Sequence, residues 1–554
     1  MITTDHHHRI FRASEIRSLD EAAIHETGIP GDVLMEIAGF QAAKEIMQRQ
    51  NGRKRGLIVC GKGNNAGDAL VVARYLSRNG FHITLFFAGG KEGLSPGAAT
   101  NYERLKKSVA DYGTPDGDAA ESGQGANRDT KRGAFQGGNQ GENEGASQGE
   151  FPGALPDAHP GAIPGAVNET GSITSVDPRD LDFAVDGLFG TGLNQEVRGS
   201  YRDAIARMNN LGVPIYAMDI PSGLDADTGE VHGIAATAAV TCTFGGYKHG
   251  FYTPAGFRCC GDVVLCELPF APHLYPEDGA FAIGPDITRL PVPDKMSGRH
   301  KYERGIVYIL GGSPGLTGAP VLSAKAAWKT GTGAVVVITP AGLLPVFEKN
   351  LIEPVKKPVG GADDHFFGTS HTGRVLEIIH EKPGILLLGP GVGRNNETVG
   401  FVNEVIRHAK CPLVIDADAL WCLSQAGRLP VFNHETVLTP HPGELQQLTG
   451  KTAMTNLDRL EQAKMVSGET GAITVAKGCP VYVTGPASGT FVTGYDTTVF
   501  GRAGFGDVLA GKIAAAMATG HTTDAAAIYA LLDGIRRYRR AASPDLIPGP
   551  SDIL

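Results

Sequence analysis

Four short stretches carry side chains whose types and spacing can do chemistry. GKGNNAGDAL, residues 61–70, sets Asn64, Asn65 and Asp68 behind two glycines; VDGLFGTGL, 185–193, holds Asp186; MDIPSGLDADTG, 218–229, holds Asp219 and Ser222. The amides and carboxylate of the first can grip a polar ligand beside the positive end of a helix. Asp186, Asn65 and the Ser222 hydroxyl together make an all-oxygen set suited to a hard cation. The fourth stretch, RAGFGDVLAG at 502–511, frees backbone amides at Gly504 and Gly506 where a helix begins, and puts Asp507 where a base can meet a substrate hydroxyl. That is an arrangement for phosphoryl transfer, with an ordinary helix start capped by Asp507 as the plainer alternative.

Other readings of GKGNNAGDAL compete. A Walker phosphate loop needs Gly-Lys-Ser/Thr after a four-residue spacer, and the stretch lacks it. A dinucleotide fingerprint is met by Gly61, Gly63 and Ala66, but HITLFFAGGKE offers no acidic residue before Glu92. A plain strand-to-helix turn that uses glycine only for its backbone freedom stays open, as does the polar-ligand or cation site. In the second half, YILGGSPGLTGAP, LLLGPGVGR, VIDADAL and LTPHPGE each follow an apolar run, and TVAKGCPVYVTGP offers Lys477 and a hairpin able to flank a nucleotide. His441, between two prolines, reads either as a satisfied loop histidine or as a ligand contact at a strand end.

These turns need strands and helices to bring them together. Short continuous apolar runs followed by glycine turns and helical patterns recur throughout, which predicts α/β architecture with parallel sheets buried on both faces. In the first half the runs are 57–60, 82–87, 183–185, 214–218 and 238–246; in the second they are 306–310, 334–339, 385–388, 413–415, 436–438 and 472–476. A length of 554 residues exceeds what one core serves, so two domains are expected, 1–280 and 295–554, with the linker at about 280–295 where Pro285, Pro291 and Pro293 fall. Between about 113 and 171 the chain is rich in Gly, Gln, Asn, Glu and Pro, the composition of a disordered and dispensable insertion in the first domain.

Bulk properties narrow the class. A net charge of −9 with 20% charged residues argues against nucleic acid recruited by overall basicity. No signal-peptide core and no run near the ~20 apolar residues of a membrane span is present, so a cytoplasmic protein without a membrane partner is expected. Eight scattered cysteines without a CxxC pair indicate neither a disulfide framework nor a zinc site, and the run His6, His7, His8 reads as incidental.

The ordered set SLDEAAI, GIPGDVLMEIAG, GKGNNAGD, DGLFGTGL and DIPSGLDADTG resembles the NAD(P)H-hydrate epimerase domain of the YjeF N-terminal type, a Rossmann-like three-layer sandwich. Ala66 and Ala69 stand where that pattern usually has glycine. The resemblance implies that Asn64, Asn65, Ala66, Gly67 and Asp68 hold the hydrated nicotinamide nucleotide. The loop Gly190, Thr191, Gly192, Leu193, Asn194, Gln195 and Glu196 would join them. Asn65, Asp186 and Ser222 would ligate potassium, and Asp219 would be the acid/base at the ring.

GGSPGLTGAP, GPGVG, DADAL, TPHPGE, AKG and GFGDVLAG, across about 295–545, resemble the ADP- or ATP-dependent NAD(P)H-hydrate dehydratases of ribokinase-like fold. That implies hydrate contacts from Ala319, Gly391, Gly393, His441 and Asp507. Nucleotide contacts would come from Lys477, Gly478, Cys479, Pro480, Val481 and Gly506, with magnesium accompanying the phosphates. The implied function is bifunctional: epimerisation of R and S NADHX or NADPHX, then dehydration of the S form at the expense of ADP or ATP. A homo-oligomer is implied as well. The alternative is a vitamin-type small-molecule kinase fused to a non-catalytic nucleotide-binding module.

Overall fold

In the computed structural model, residues 8–110, 165–276, 279–290, 300 and 302–554 are described. His6, His7 and most of the expected insertion, 113–164, lie outside them.

The first half winds into a seven-stranded, all-parallel sheet. Its spatial order is Val167–Glu169, His82–Phe87, Arg55–Cys60, Phe183–Gly187, Ile215–Met218, Val240–Phe244 and Asp262–Cys266. From Arg55–Cys60 the chain winds outward one way through His82–Phe87, then restarts at Phe183–Gly187 and winds the other way. The order therefore reverses between Arg55–Cys60 and Phe183–Gly187, paired in register from Gly56↔Phe183 to Cys60↔Gly187. Leu57, Ile58, Val59, Phe183, Ala184 and Val185 are buried, because helices cover both faces of a parallel sheet. The expected α/β class and the main runs match these elements.

The second sheet has twelve strands, and the winding reverses in it between Ile306–Leu310 and Ile385–Leu388, which pair directly. Ala334–Pro340 and Val355–Val359 extend one side; Leu413–Ile415, Thr436–Leu438 and Ile473–Ala476 extend the other. Beyond them an antiparallel hairpin, Tyr482–Thr484 and Thr490–Thr493, continues the sheet. The helices Gly318–Thr330 and Phe505–Ala518 pack together on one face, where Ser323 Oγ donates to the Asp507 carbonyl at 3.0 Å.

Two boundaries differ from expectation. The linker expected at 280–295 begins with a strand: Ala280–Ile283 pairs in parallel with Thr490–Thr493 and antiparallel with Arg9–Phe11, which in turn pairs with Tyr247–Lys248. The large sheet thus takes three strands that precede the second domain expected from residue 295. Four residues of β pattern beside prolines carry no local sign of a partner some two hundred positions away, and the pairing is fixed only by tertiary context. The expected insertion also ends too late at 171. Val167–Glu169 is the edge strand beside His82–Phe87, with Ile83↔Val167 in register.

Among the described residues no helix is long and apolar enough to cross a membrane.

A deletion of 115–160 is expected to keep the melting temperature and both activities, whereas a deletion of 115–169 strips the edge strand. The longer deletion should lower the midpoint by about 2–4 °C for each ~1 kcal/mol lost. Thermal melts of the two variants check this, and an equal midpoint would show that the edge strand contributes nothing.

Two candidate active sites

Open parallel sheets bind ligands where their winding reverses, at the carboxyl ends of the strands. In the first sheet the turns after Arg55–Cys60 and Phe183–Gly187 meet there. They touch closely at Gly61, whose amide donates to the Gly187 carbonyl at 3.0 Å. A side chain at 61 would drive its Cβ into the carbonyl oxygen of Leu188, so glycine is required for this approach. The helix Asn64–Arg78 starts at once, with Gly63 as its extended cap. Above it opens a cavity of about 610 Å³, lined by Asn64, Asn65, Asp68, the loop 190–195 and Asp219.

Asp186 and Ser222 do not line the cavity but bond to the backbone of Leu188 and Phe189, which do. Asp186 is wholly buried and accepts from the Ser222 hydroxyl at 2.6 Å, the Ser222 amide at 2.8 Å and the Leu188 amide at 3.3 Å. Burial pushes its carboxyl up to about 6 against the opposing pull of the Ser222 bonds. Asn65 donates its amide to the Phe189 carbonyl at 3.0 Å, while its Oδ1 is buried without a hydrogen-bond partner among the described residues. An orphaned acceptor beside a carboxylate, a hydroxyl and a backbone carbonyl is a donor set that fits a hard monovalent cation.

Asp219 ends the strand Ile215–Met218 in a left-handed backbone, φ 62°, a conformation that costs a non-glycine residue of order 1–3 kcal/mol. Its Oδ1 is held by the Lys248 ammonium at 2.5 Å and the Phe244 amide at 3.2 Å. Asp68 is buried and its carboxyl is raised well above the usual range, first by burial and then by the charges of Asp219 and Asp20. Asp20 also lines the cavity, and burial followed by repulsion from Asp219 pushes it up to about 6.

Of the residues expected here, Ala66, Gly67 and Glu196 do not line the cavity. Ala66 and Ala69 are helical and buried in the core, and the Ala69 methyl packs over Gly187. Neither needs a positive φ, so alanine costs no strain at either place. Glu196 pairs outward with Arg198 at 2.6 Å. Asp20, Lys248 and the Phe189 carbonyl escaped the sequence reading. Only Asp20 left a signal, an acid on the same helical face as buried Ile16, Leu19 and Ala23.

In the second sheet a cavity of about 630 Å³ brings together Asp416, His441, Glu444, Lys477, Gly506 and Asp507. Of the other residues expected at this site, Gly478, Cys479 and Val481 line the cavity, and Ala319, Gly391, Gly393 and Pro480 do not. Gly391 and Gly393 follow Ile385–Leu388 at the winding reversal, where the Gly393 amide donates to Asp418 Oδ2 at 3.1 Å. Ala417, φ 52°, is the strained residue between Asp416 and Asp418; Asp416 faces Lys477 while Asp418 holds Arg394 at 2.6 Å.

The helix Phe505–Ala518 begins at Gly504, φ 95°, and points its free amides into this cavity mouth. A Cβ placed on Gly506 would stand 3.3 Å from Lys477 Nζ, so the ammonium sits over the first turn. Lys477 donates to Asp416 Oδ1 at 2.8 Å, and Glu444 lies 3.9 Å away. Burial alone would lower the Lys477 ammonium, but the charges of Asp416 and Glu444 reverse this and raise it. Asp507 is pushed up to about 7 by burial and then by Asp416, with Lys477 opposing. Glu444 is likewise pushed up to about 7 by burial, again against Lys477. His441 caps the helix Pro442–Thr449: its Nδ1 accepts the Glu444 amide at 3.2 Å, while its own amide donates to Glu444 Oε2 at 2.8 Å. Burial, with Lys477 next, lowers its ring pKa.

Sequence and structure comparisons bear on both halves. Residues 31–250 match the family described as YjeF-related protein N-terminus, and residues 307–535 match the family described as NAD(P)H-hydrate dehydratase. The bifunctional NAD(P)H-hydrate repair enzyme Nnr of Salinibacter ruber is 30% identical over 548 residues, covering 97% of this chain and 93% of that protein. The enzyme of the same name from Moorella thermoacetica is 31% identical over 509 residues, 91% of this chain and 86% of its own. A solved ADP/ATP-dependent NAD(P)H-hydrate dehydratase from Bacillus subtilis, co-crystallized with ATP/Mg2+, aligns at 22% identity and a TM-score of 0.41, over 47% of this chain and 91% of that one. With two matched families in the same chain and relatives at 30% and 31% identity aligned over 97% and 91% of it, this protein belongs to the family of bifunctional NAD(P)H-hydrate repair enzymes.

Proposed function

We propose that the first crevice exchanges the R and S epimers of NADHX and NADPHX, and that the second dehydrates the S epimer with ADP or ATP as phosphoryl donor. The observation that carries the second assignment is the Lys477 ammonium over the first turn of the helix at Gly506, in the cavity that Asp507 also lines. A cation and free helix amides favour the phosphates there, and a carboxyl stands ready for the hydroxyl proton.

In this reading Asp507 accepts the proton of the ring hydroxyl as its oxygen attacks the terminal phosphorus and the donor nucleotide leaves with the bridging oxygen. Lys477 and the amides at Gly504 and Gly506 hold the negative charge of the transferring group. The ring carbon–oxygen bond then breaks, phosphate departs with the bonding pair, and loss of a ring proton restores the dihydropyridine. Magnesium, when bound with the nucleotide, supplies charge neutralisation on the phosphates. Of the residues that line this cavity, His441 is assigned to the hydrate, and Lys477, Gly478, Cys479, Val481 and Gly506 to the nucleotide.

In the first crevice, Asn64, Asn65, Asp68 and the loop 190–195 hold the hydrate, and Asp219 moves the proton at the ring. Asn65, Asp186 and Ser222, joined by the Phe189 carbonyl, are assigned to potassium, whose charge would satisfy Asn65 Oδ1 and favour the ionised form of Asp186.

Four outcomes follow from these assignments. Asp507→Asn should lower dehydration by about 100-fold or more with the epimer exchange unchanged; near-normal release of phosphate and NADH would remove Asp507 as base. Asp507 is protonated below its raised pKa and cannot accept a proton there, so kcat/KM for dehydration should fall by about tenfold per pH unit below about 7. Glu444 titrates in the same range and its charge raises Asp507, so Glu444→Gln should move that limb to lower pH. A limb unmoved in Glu444→Gln, measured at saturating nucleotide, would contradict the coupling. Replacing potassium by choline should slow epimer exchange and lower the melting temperature, and both should be restored by potassium; insensitivity of both would reject the cation assignment.

A further inference from the structure

A buried cation, Lys248, lies behind the first crevice against the Asp219 carboxylate that lines it. Lys248 is wholly buried on the strand Tyr247–Lys248. Its ammonium donates three hydrogen bonds: to Asp219 Oδ1 at 2.5 Å, to the Thr243 hydroxyl at 2.7 Å and to the Phe244 carbonyl at 2.9 Å. An ammonium has three protons, so none remains for a substrate.

Asp219 is gripped on one side only. Oδ1 takes the Lys248 ammonium and the Phe244 amide, and the Asp219 amide donates to the Cys242 carbonyl at 2.7 Å. Oδ2 accepts no hydrogen bond among the described residues and is the oxygen that meets the Gly190 turn, where an added Cβ would stand 3.6 Å from it and 3.5 Å from Asn65 Oδ1. One carboxylate oxygen is therefore anchored and the other is offered to the crevice. Two more carboxyls, Asp20 and Asp68, feel the same ammonium, but it hydrogen-bonds neither of them. Both are driven toward the neutral form, first by burial and then by Asp219. The backbone beneath Lys248 is held as well, since Phe11↔Lys248 ties it into the large sheet.

We propose that Lys248 is a positioning residue for epimer exchange: it holds the Asp219 carboxylate by Oδ1 in its left-handed backbone so that Oδ2 is the oxygen directed at the reacting ring. The proposal rests on the assignment of Asp219 as acid/base. Lys248 itself touches no substrate. Its removal should cost turnover and leave binding, because the lining residues Asn64, Asn65 and the loop 190–195 stay in place.

The test measures R/S NADHX exchange, above the spontaneous rate, for the full chain and for Asp219→Ala, Lys248→Met, the double variant and Thr243→Val. Dehydration of S-NADHX by each preparation controls for folding. Lys248→Met should lower the exchange kcat by about 100-fold with KM within about threefold. In the Asp219→Ala background the same change should have no further effect, within about twofold, because both act through one carboxylate. Thr243→Val keeps the cation but removes one anchor, and its kcat should fall by about 3–10-fold. Lys248→Met retaining a third or more of kcat, or an equal loss on top of Asp219→Ala, would overturn the proposal. Should Lys248→Met fail to fold, an unchanged kcat in Thr243→Val would overturn it instead. An active Asp219→Ala sinks the acid/base assignment and the proposal with it, whereas an inactive Asp219→Ala beside an active Lys248→Met sinks only the role of Lys248.

Discussion

A parallel sheet presents its strand-ending turns along one edge, and both candidate sites depend on such an edge, each of which has a place where the winding reverses. At each, helices leave in opposite directions and two strand-ending turns face one another. The first pair, after Cys60 and Gly187, is drawn so close that Gly61 admits no side chain. The second pair follows Leu310 and Leu388, where the Gly312 amide donates to the Pro390 carbonyl at 3.2 Å, while the cavity of that sheet is lined by the turns after Ile415, Leu438 and Ala476 and by the helix from Phe505. The crevices are topological necessities; the chemistry comes from which side chains the turns carry.

The two sites share an electrostatic device. Each sets a lysine against an aspartate at a strand end: Lys248 against Asp219, Lys477 against Asp416. Around each pair stand further carboxyls that burial pushes toward neutrality, Asp20 and Asp68 in one and Glu444 and Asp507 in the other. The difference lies in what the cation faces. Lys248 is enclosed with all three protons bonded, so it can act only through its aspartate, whereas Lys477 reaches over free helix amides and can meet a phosphate. One arrangement suits proton movement at a ring, and the other suits phosphoryl transfer.

Most of this was legible in the residues because local rules carry it. Asn65, Asp186, Ser222, Asp219, Lys477 and Asp507 sit in or beside glycine turns, most of them at the ends of continuous apolar strands, and the sheet brings such strand ends to one edge whatever else the chain does. What local pattern could not reveal was long-range pairing. Arg9–Phe11 and Ala280–Ile283 are too short to declare themselves and acquire meaning only beside Thr490–Thr493. Lys248 escaped for the same reason: YKHG has no feature of its own, and its partner lies twenty-nine positions earlier in sequence. Ala66 and Ala69, which stand where the family pattern has glycine, occupy ordinary helix positions, so those glycines are not required there by backbone conformation.

The central claim is that one chain couples epimer exchange to nucleotide-driven dehydration. Its most direct measurement is the recovery of NADH absorbance when the purified protein meets a mixed R and S NADHX pool with ADP or ATP and magnesium, followed alongside inorganic phosphate. The account predicts nucleotide-dependent recovery of the whole pool, faster than spontaneous epimerisation, with one phosphate released for each NADH formed. Accumulation of a stable phosphate ester without NADH, or recovery that stops at the S share, would contradict it.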